Sequence, residues 1–444
     1  MHFPPRLIAI IACLLSLARG SGADTHPTAS QRIVIKAGQV FEPLSGRFIP
    51  KQHIVIEGDT IVEIGDASGM AVPTGARVID LGQAWILPGL IDCHVHLVSD
   101  RGGVDATINN LTGSVADRAY DAAVNARKTL EAGFTTVRNL GDIDGVTLAL
   151  RDAIAAGKLP GPRILDAGAS ISTTSGHMDP RLGFREELNE ALARHQNLCD
   201  GPDECRKAVR LQIGRGADVI KFATTGGVTS RAGLGLGRQM FEDEARALVE
   251  TAHLYGRKVA VHAHGTDGIL LALKAGADSI EHGTLLDEEC IQLFLKTGAY
   301  YVPTLSTVNG YIERLAKDPN AYELPVRAKI EWRIKVTGES VRKAFPRGVK
   351  IAFGTDAGVS KHGRNADEFE AMVKHGMPPA EAIKAATAHA ADLLGLAKSI
   401  GTLEKGKQAD LIAVASNPLE NVAVLKTVGF VMKGGVVHKT TITP

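Results

Sequence analysis

The hydrophobic pattern changes twice along the chain. Residues 31–85 alternate apolar and polar positions in short runs separated by turn residues, as in RIVIKAGQVF and QHIVIEGDTIVEIG, and the pattern returns after residue 401. This two-residue period predicts strands with one buried face. The middle of the chain instead alternates short apolar runs with stretches of helical spacing, such as ADRAYDAAVNARKTLEAG and EDEARALVETAHLYG. That alternation predicts strand–helix units around a parallel sheet.

Eight apolar runs in the middle of the chain have the length of strands. They are residues 89–96, 134–140, 163–168, 218–223, 258–264, 278–283, 300–305 and 350–358. Eight strand–helix units over about 300 residues are typical of a (β/α)8 TIM barrel. The β segments at the two chain ends can pair into one small β-sandwich. We therefore predict an α/β fold in which residues 24–88 and 399–444 form the sandwich and residues 89–398 form the barrel.

The N-terminus has the pattern of a secretory signal peptide, which we assign to residues 1–23. Arg6 precedes an apolar run, and the small residues Ser21 and Ala23 occupy the positions of a cleavage site. The apolar run is too short to span a membrane. The sequence IIAC ending at Cys13 is similar to a lipoprotein box, but it falls too early in the run. We expect a secreted or periplasmic protein that is not attached to a membrane after cleavage.

Composition and cysteine spacing narrow the possible partners. The chain is 44% hydrophobic and 22% charged with a net charge of +1, which predicts no basic surface for nucleic acid. Cys199 and Cys205 flank a Gly-Pro turn in NLCDGPDECRK, and an oxidising compartment favours a disulfide between them. Two free thiols are the alternative. The absence of a CxxC pair excludes a zinc ribbon.

Side chains that can bind metals recur where the predicted barrel strands end. In a (β/α)8 barrel, catalytic groups come from the C-terminal ends of the strands. The ionisable residues at those ends are His94, His96, Lys221, His262, His264, His282 and Asp356. His94 and His96 are two positions apart, so they share one face of their strand. A lone strand histidine is more often a core residue, but a set at five strand ends indicates a site for zinc or a similar ion.

Lys221 lies between Ile220 and Phe222 in an apolar run. A buried ammonium group costs several kcal/mol or loses its proton. Loss of the proton leaves a nucleophilic amine available for chemistry. The alternative is a lysine that extends its ammonium group to the mouth of the barrel.

These motifs resemble those of the amidohydrolase superfamily. The matching segments are LPGLIDCHVH, GADVIKF, VAVHAHG, DSIEHG and FGTDAG, and GTLEKGKQADLIAVASNPLE is similar to the segment that returns to the sandwich. The resemblance covers essentially the whole mature chain and is nearest to the prolidase-like and imidazolonepropionase-related hydrolases. That branch includes dipeptidases that cleave before Pro or Arg and exported hydrolases of N-acyl amino acids such as ochratoxin.

The resemblance implies a pair of divalent ions, with zinc as the expected metal, bridged by a carboxylated Lys221. The other implied ligands are His94, His96 and Asp356 for one ion and His262 and His282 for the other. The motif places His262 first, so His264 is assigned to the substrate. An exchange of roles between His262 and His264 stays open.

The resemblance also implies a mechanism. A water molecule that bridges the two ions attacks the carbonyl group, while Asp356 accepts its proton and returns it to the leaving nitrogen. His177, in STTSGHMD, is expected to contact the substrate and its developing oxyanion. The glycine-rich segment TTGGVTSRAGLGLGRQM is expected to be a lid, on which Arg231 or Arg238 pairs with a substrate carboxylate, and we assign Arg231. The long loop over residues 306–325 is expected to shape the leaving-group pocket.

The predicted function is hydrolysis of the C–N bond of a small amide, either a dipeptide or an N-acyl amino acid, by a homo-oligomeric enzyme. A deaminase or cyclic-amide hydrolase of the same fold is the first alternative. Those enzymes lack a bridging lysine carbamate and typically carry an acid where this chain has His264 or Gly265. A lactonase is the second alternative. An inactive binding module is the third, although such chains usually lose a ligand.

Overall fold

The computed structural model of the protein describes residues 32–141, 144–192, 196–231 and 235–442. The predicted signal peptide, residues 1–23, lies outside these ranges. Within them, every helix is too short or too polar to cross a membrane.

Both chain ends contribute to one seven-stranded sheet. Numbered along the chain, its strands are β1 (Ile33–Glu42), β2 (Arg47–Glu57), β3 (Thr60–Asp66), β4 (Arg77–Pro88), β12 (Leu411–Val414), β13 (Phe430–Lys433) and β14 (Val436–Thr440). Their order across the sheet is β14-β13-β12-β4-β1-β2-β3. β4 runs parallel to β1 and antiparallel to β12, so it joins the N-terminal strands to the C-terminal ones.

The sheet folds over on itself. The Ile61 N–H at one edge donates to the Lys407 carbonyl over 2.8 Å, and the Ala409 N–H donates to the Asp59 carbonyl over 2.7 Å. The buried side chains between the layers come from both chain ends, including Ile35, Ile54, Leu411 and Met432. The predicted sandwich built from both ends is confirmed.

The middle of the chain forms the predicted barrel. Its strands are β5 (Leu90–Val95), β6 (Phe134–Asn139), β7 (Arg163–Asp166), β8 (Val219–Ala223), β9 (Lys258–Ala263), β10 (Ser279–His282) and β11 (Tyr300–Val302). All neighbours are parallel, in the groups β5-β6-β7 and β8-β9-β10-β11. Ile171, just after β7, joins the groups, since its N–H donates to the Lys221 carbonyl over 2.8 Å.

The predicted eighth strand, residues 350–358, forms no continuous ladder. It makes isolated bridges from Ile351 to Tyr301 and from Ala357 to Val95. The intervening backbone is irregular, with a left-handed φ of 55° at Asp356. The segment nevertheless lies between β11 and β5 and closes the barrel.

Helices surround the barrel and cover part of its mouth. They are α1 (Gly103–Thr112), α2 (Val115–Glu131), α3 (Val146–Ala155), α4 (Asn189–Leu192), α5 (Pro202–Gly214), α6 (Glu242–Leu254), α7 (Thr266–Ala275), α8 (Glu288–Thr297), α9 (Thr307–Lys317), α10 (Leu324–Val336), α11 (Glu339–Ala344), α12 (Asp367–Lys374), α13 (Pro379–Lys384) and α14 (Ala390–Leu393). Short 3₁₀ helices span Glu186–Leu188, Phe345–Arg347 and Val422–Thr427, and a π-helical turn spans Ala385–His389.

Helices α2 and α6 lie where the periodicity predicted them. A reciprocal capping box between Ser114 and Asp117 begins α2. A long loop was expected over residues 306–325. The structure shows that most of this segment is helical, because α9 and the start of α10 occupy it.

Candidate metal centre

One cavity of about 140 Å³ lies at the C-terminal ends of the barrel strands. The predicted metal and substrate residues that line it are His94, His96, His177, Lys221, His262, His264, His282 and Asp356. They come from six different segments of the chain. The fold therefore brings together the whole set except Arg231.

The ligand atoms are close enough for metal binding. Asp356 Oδ1 lies 3.5 Å from His94 Nε2 and 3.3 Å from His96 Nε2. In each of two groups of three residues, the ligand atoms lie within 4.8 Å of one another. The first group is His262, His264 and His282, and the second is His94, His282 and Asp356. Imidazole nitrogen and carboxylate oxygen are the donors that zinc and related ions prefer. The donor set fits two neighbouring divalent ions.

Lys221 lies in this cavity with its amine unsatisfied. The side chain is 1% exposed, and Nζ has no hydrogen-bond partner among the described residues. Burial lowers the pKa of the amine to about 8, against the opposing effect of Glu281 and Asp356. A protonated amine offers only hydrogen-bond donors, so it cannot bind a cation. This orphaned nitrogen fits a group that converts the amine into a metal ligand.

His94 is held by a buried ion pair that the sequence analysis did not identify. Its Nδ1–H donates to Glu281 Oε2 over 2.8 Å, which leaves Nε2 for a metal. Glu281 Oε1 also accepts from Arg138 Nη2 over 2.8 Å, and both side chains are buried. Burial would raise the pKa of Glu281, but Arg138 and the His94 hydrogen bond lower it to about 2. Glu281 is therefore an anion that fixes the His94 ring.

The other histidine rings are oriented in the same way. The Nδ1 contacts are His96 to the Gly141 carbonyl at 3.2 Å, His264 to Thr284 Oγ1 at 2.7 Å and His282 to Thr304 Oγ1 at 2.7 Å. His262 differs, because its Nε2 lies 3.3 Å from the Gly226 carbonyl, which leaves Nδ1 for a metal. Both His262 and His264 remain within reach of a metal, so the choice between them stays a prediction.

Burial also sets the protonation of these rings. It lowers the pKa of His94 to about 4, and it lowers the pKa values of His262, His264 and His282 well below the ordinary value. Neutral imidazole is the form that binds metals.

Three residues at neighbouring strand ends have left-handed backbones. The φ angles are 70° at His282, 48° at Thr304 and 55° at Asp356. Such angles are uncommon outside glycine and cluster at functional sites. In a regular strand Glu281 and His282 would point to opposite faces. Here Glu281 contacts His94 inside the barrel while His282 also lines the cavity, so consecutive residues both serve the site.

His177 lies where the sequence analysis expected it, at the edge of the cavity. Its Nδ1 lies 2.6 Å from Ser230 Oγ, and its ring centre is 4.2 Å from that of His262. A Cβ at Gly227 would lie only 2.1 Å from the His177 ring, so glycine is required there. Lys329 of α10 donates to the Gly227 and Ser230 carbonyls over 3.1 and 2.7 Å. The predicted lid segment is thus tied to α10 at this point.

The structure does not bring Arg231 into the metal cavity. Its guanidinium pairs with Glu323 over 2.7 Å and lies over the Phe184 ring at 4.9 Å. It lines a neighbouring cavity of about 300 Å³. Arg238 donates instead to the Met240 carbonyl over 2.7 Å. The arginine that lines the metal cavity is Arg333 of α10, which the sequence analysis did not select.

Cys199 and Cys205 are neighbours, but here they are free thiols with sulfur atoms 3.0 Å apart. Both are buried, and Cys199 pairs through its backbone with Ser172, near the His177 segment. The fold thus brings the pair together. The disulfide itself stays a prediction.

The Glu281 network predicts the effect of one substitution. Glu281→Gln should weaken metal binding about 10–100-fold, because the His94 ring loses its anionic partner. It should also lower the free energy of unfolding by about 3–5 kcal/mol, since Arg138 is left as an unpaired buried charge. Metal titration and denaturant unfolding measure the two effects. Glu288→Gln, at an exposed pair with Arg347, is the control. Equal metal affinity in both variants would contradict this role.

Comparison with known proteins identifies the family of this chain. Residues 85–442 match the Amidohydrolase family. Ochratoxinase of Aspergillus niger is 36% identical over 382 residues, which cover 80% of this chain and 75% of that protein. A Xaa-Pro dipeptidase structure with methionine bound in its active site has a TM-score of 0.86 and 41% identity, covering 92% of this chain and 100% of that chain. A prolidase complexed with N-methylphosphonate-L-proline has a TM-score of 0.84 and 30% identity, covering 93% and 100%. The resemblance to the prolidase-like branch is confirmed, and this chain belongs to the Amidohydrolase family, as a hydrolase that acts on carbon–nitrogen bonds.

Proposed function

We propose that this chain is a binuclear metal-dependent amidase that hydrolyses dipeptides or N-acyl amino acids. The observation that carries the proposal is the buried amine of Lys221, which has no hydrogen-bond partner among the described residues and lies in a cavity of metal-binding side chains. A carboxylated lysine is an anion with two oxygen atoms, so it would satisfy this position and bridge two cations.

The remaining ligands divide into two groups. We assign His94, His96 and Asp356 to one ion and His262 and His282 to the other, with carboxylated Lys221 shared. Zinc is the ion that we expect, because nitrogen and carboxylate donors suit it. Two such ions polarise a carbonyl group and lower the pKa of water.

Asp356 is the proton carrier in this proposal. Burial would raise the pKa of Asp356, but the nearby rings of His94 and His96 hold it below its ordinary value, so the carboxylate is ionised. Its side chain remains 11% exposed, on the cavity. It can therefore accept a proton from the attacking water and deliver it to the leaving nitrogen.

His177 is suited to donate a hydrogen bond to the oxyanion. The Gly227 N–H donates to Ser230 Oγ over 3.1 Å, so the Ser230 hydroxyl hydrogen is free to point at His177 Nδ1. Burial lowers the pKa of His177 to about 3, which keeps the ring neutral. A neutral ring that accepts at Nδ1 carries its proton on Nε2. That tautomer is a donor, as an oxyanion requires.

The relatives support an amino acid on one side of the scissile bond. A dipeptidase is named for Xaa-Pro and holds methionine in its active site, and a prolidase is complexed with a phosphonate of proline. Ochratoxinase is the curated relative described above. We extend their chemical class, and no individual substrate, to this chain.

We further propose that the enzyme is secreted or periplasmic and forms a homo-oligomer. The proposal that the enzyme is secreted or periplasmic rests on the pattern of residues 1–23 and on the Cys199–Cys205 pair. The homo-oligomer is supported by α1, which has no buried residue and exposes Val104, Ile108 and Leu111 along one side.

A substrate screen tests the proposed activity. Metal-loaded protein should release the free amino acid from members of Xaa-Pro, Xaa-Arg or N-acyl-Phe libraries. Homoserine lactones and imidazolonepropionate are the comparison substrates. Hydrolysis of these comparison substrates alone would contradict the proposal.

Replacement of Asp356 tests the proton transfer. Asp356→Asn should lower kcat about 10²–10⁴-fold, because an amide cannot accept the proton from water. Bound metal, measured by elemental analysis, should be largely retained. Asp203→Asn, at an exposed position of α5, is the control and should leave both quantities unchanged. Near-normal turnover in Asp356→Asn would remove it from this role.

A further inference from the structure

A buried arginine also lines the metal cavity. Arg333 lies on α10 and is 3% exposed. It shares the cavity with His264 and Asp356.

The guanidinium of Arg333 is anchored but has no charged partner. Nη1 donates to Thr337 Oγ1 over 3.0 Å and Nη2 donates to the Pro303 carbonyl over 3.4 Å. Within the described ranges, no carboxylate oxygen lies within 4.0 Å of it. A guanidinium has five N–H donors, so these two contacts leave donors available.

Another deeply buried arginine of the barrel, Arg138, provides a contrast. Arg138 is 1% exposed and pairs with Glu281 over 2.8 Å. An uncompensated buried charge is strongly destabilising. Arg138 therefore has an internal counterion, whereas Arg333 is arranged for an anion that enters the cavity from outside.

Helix α10 fixes where this charge lies. Lys329, one turn before Arg333 on the same face, holds the Gly227 and Ser230 carbonyls. Ser230 in turn contacts His177. The position of Arg333 is thus tied to the segment that carries the expected oxyanion donor.

We propose that Arg333 binds the α-carboxylate of the amino acid on the leaving side of the scissile bond. The inference rests on the proposed function and names the residue that would select substrates with a free carboxyl group next to the cleaved amide. A guanidinium can hold a carboxylate through two parallel hydrogen bonds, which an ammonium group cannot. Arg333 is a specificity residue in this account, in place of Arg231.

The neighbouring cavity suits the other half of such a substrate. It has a volume of about 300 Å³ and shares Thr229, Tyr311 and Val359 with the metal cavity. Tyr322 and Val326 add apolar surface there. A substrate held by Arg333 at its carboxylate and cleaved beside the metal ligands would extend its acyl group toward this space.

Matched substrates test the role of Arg333. Each N-acyl amino acid is compared with its C-terminal carboxamide, which keeps the scissile bond and removes the negative charge. The wild type should prefer the acid by about 100-fold in kcat/KM. Arg333→Gln should lose most of that preference, chiefly through a higher KM for the acid, with little change for the carboxamide. Arg333→Lys should lie between them, because it keeps the charge without the planar fork.

Controls separate this effect from general damage. Arg327→Gln changes an arginine of the same helix that pairs with Glu331 in a partly exposed position, and it should retain the acid preference. Bound metal should match the wild type in every variant compared, and no variant should melt below the wild type. Loss of the preference in Arg231→Gln in place of Arg333→Gln would overturn the proposal. Equal hydrolysis of acid and carboxamide by the wild type would also overturn it, without any variant.

Binding measurements distinguish this inference from the proposed function. Calorimetry with phenylalanine and phenylalaninamide, the products of the matched acid and carboxamide substrates, reports carboxylate recognition without cleavage of an N-acyl bond. If the wild type binds the acid selectively through Arg333 but cleaves no amide, the proposed function fails and the carboxylate site stands. If it cleaves amides but binds acid and carboxamide equally well, the carboxylate site fails and the proposed function stands.

Discussion

The site depends on an amine that the barrel buries without a partner. Lys221 lies on β8 among histidines and one aspartate, and its Nζ has no hydrogen-bond acceptor among the described residues. The interior cannot solvate an ammonium group, so burial lowers the pKa of the amine to about 8. A neutral amine can react with carbon dioxide, whereas an ammonium ion cannot. Carboxylation would turn Lys221, which cannot bind a metal as an ammonium ion, into an anionic ligand.

Buried charges elsewhere in the barrel show which groups belong to the scaffold and which face a ligand. Glu281 and Arg138 neutralise each other, and Glu281 also orients the His94 ring. Arg333 has no such internal partner in the described structure and lines the cavity. The same residue type therefore has a structural role on β6 and, in our proposal, a recognition role on α10. Both arginines are buried, so the difference between Arg138 and Arg333 is that only Arg138 has an internal counterion in the described structure.

Much of the fold, and most of the residues that the fold brings together in the cavity, could be predicted from the sequence. The two-residue and 3.6-residue periods located the sandwich and the barrel, and strand alternation placed His94 and His96 on one face. Alternation failed at β10, because the φ of 70° at His282 brings Glu281 and His282 to the same region. It failed again in the eighth segment, where the left-handed Asp356 interrupts the ladder.

The arginine that lines the metal cavity could not be predicted in this way. Glu323 neutralises Arg231 from 92 positions away along the chain, a contact that only the folded structure reveals. Arg333 was missed because α10 has no clean apolar face. Lys329 and Arg333 point toward the barrel mouth beside Val326 and Ile330, so its inward face mixes charged and apolar residues. Local periodicity carries no signal for a charge that a helix directs into a cavity.

The central claim is that Lys221 becomes a bridging carbamate. A crystal structure of the metal-loaded protein, grown with bicarbonate, tests it most directly. The account predicts electron density for a carboxylated Nζ that contacts two metal ions. A bare amine at Lys221, with metal bound and bicarbonate present, would contradict it.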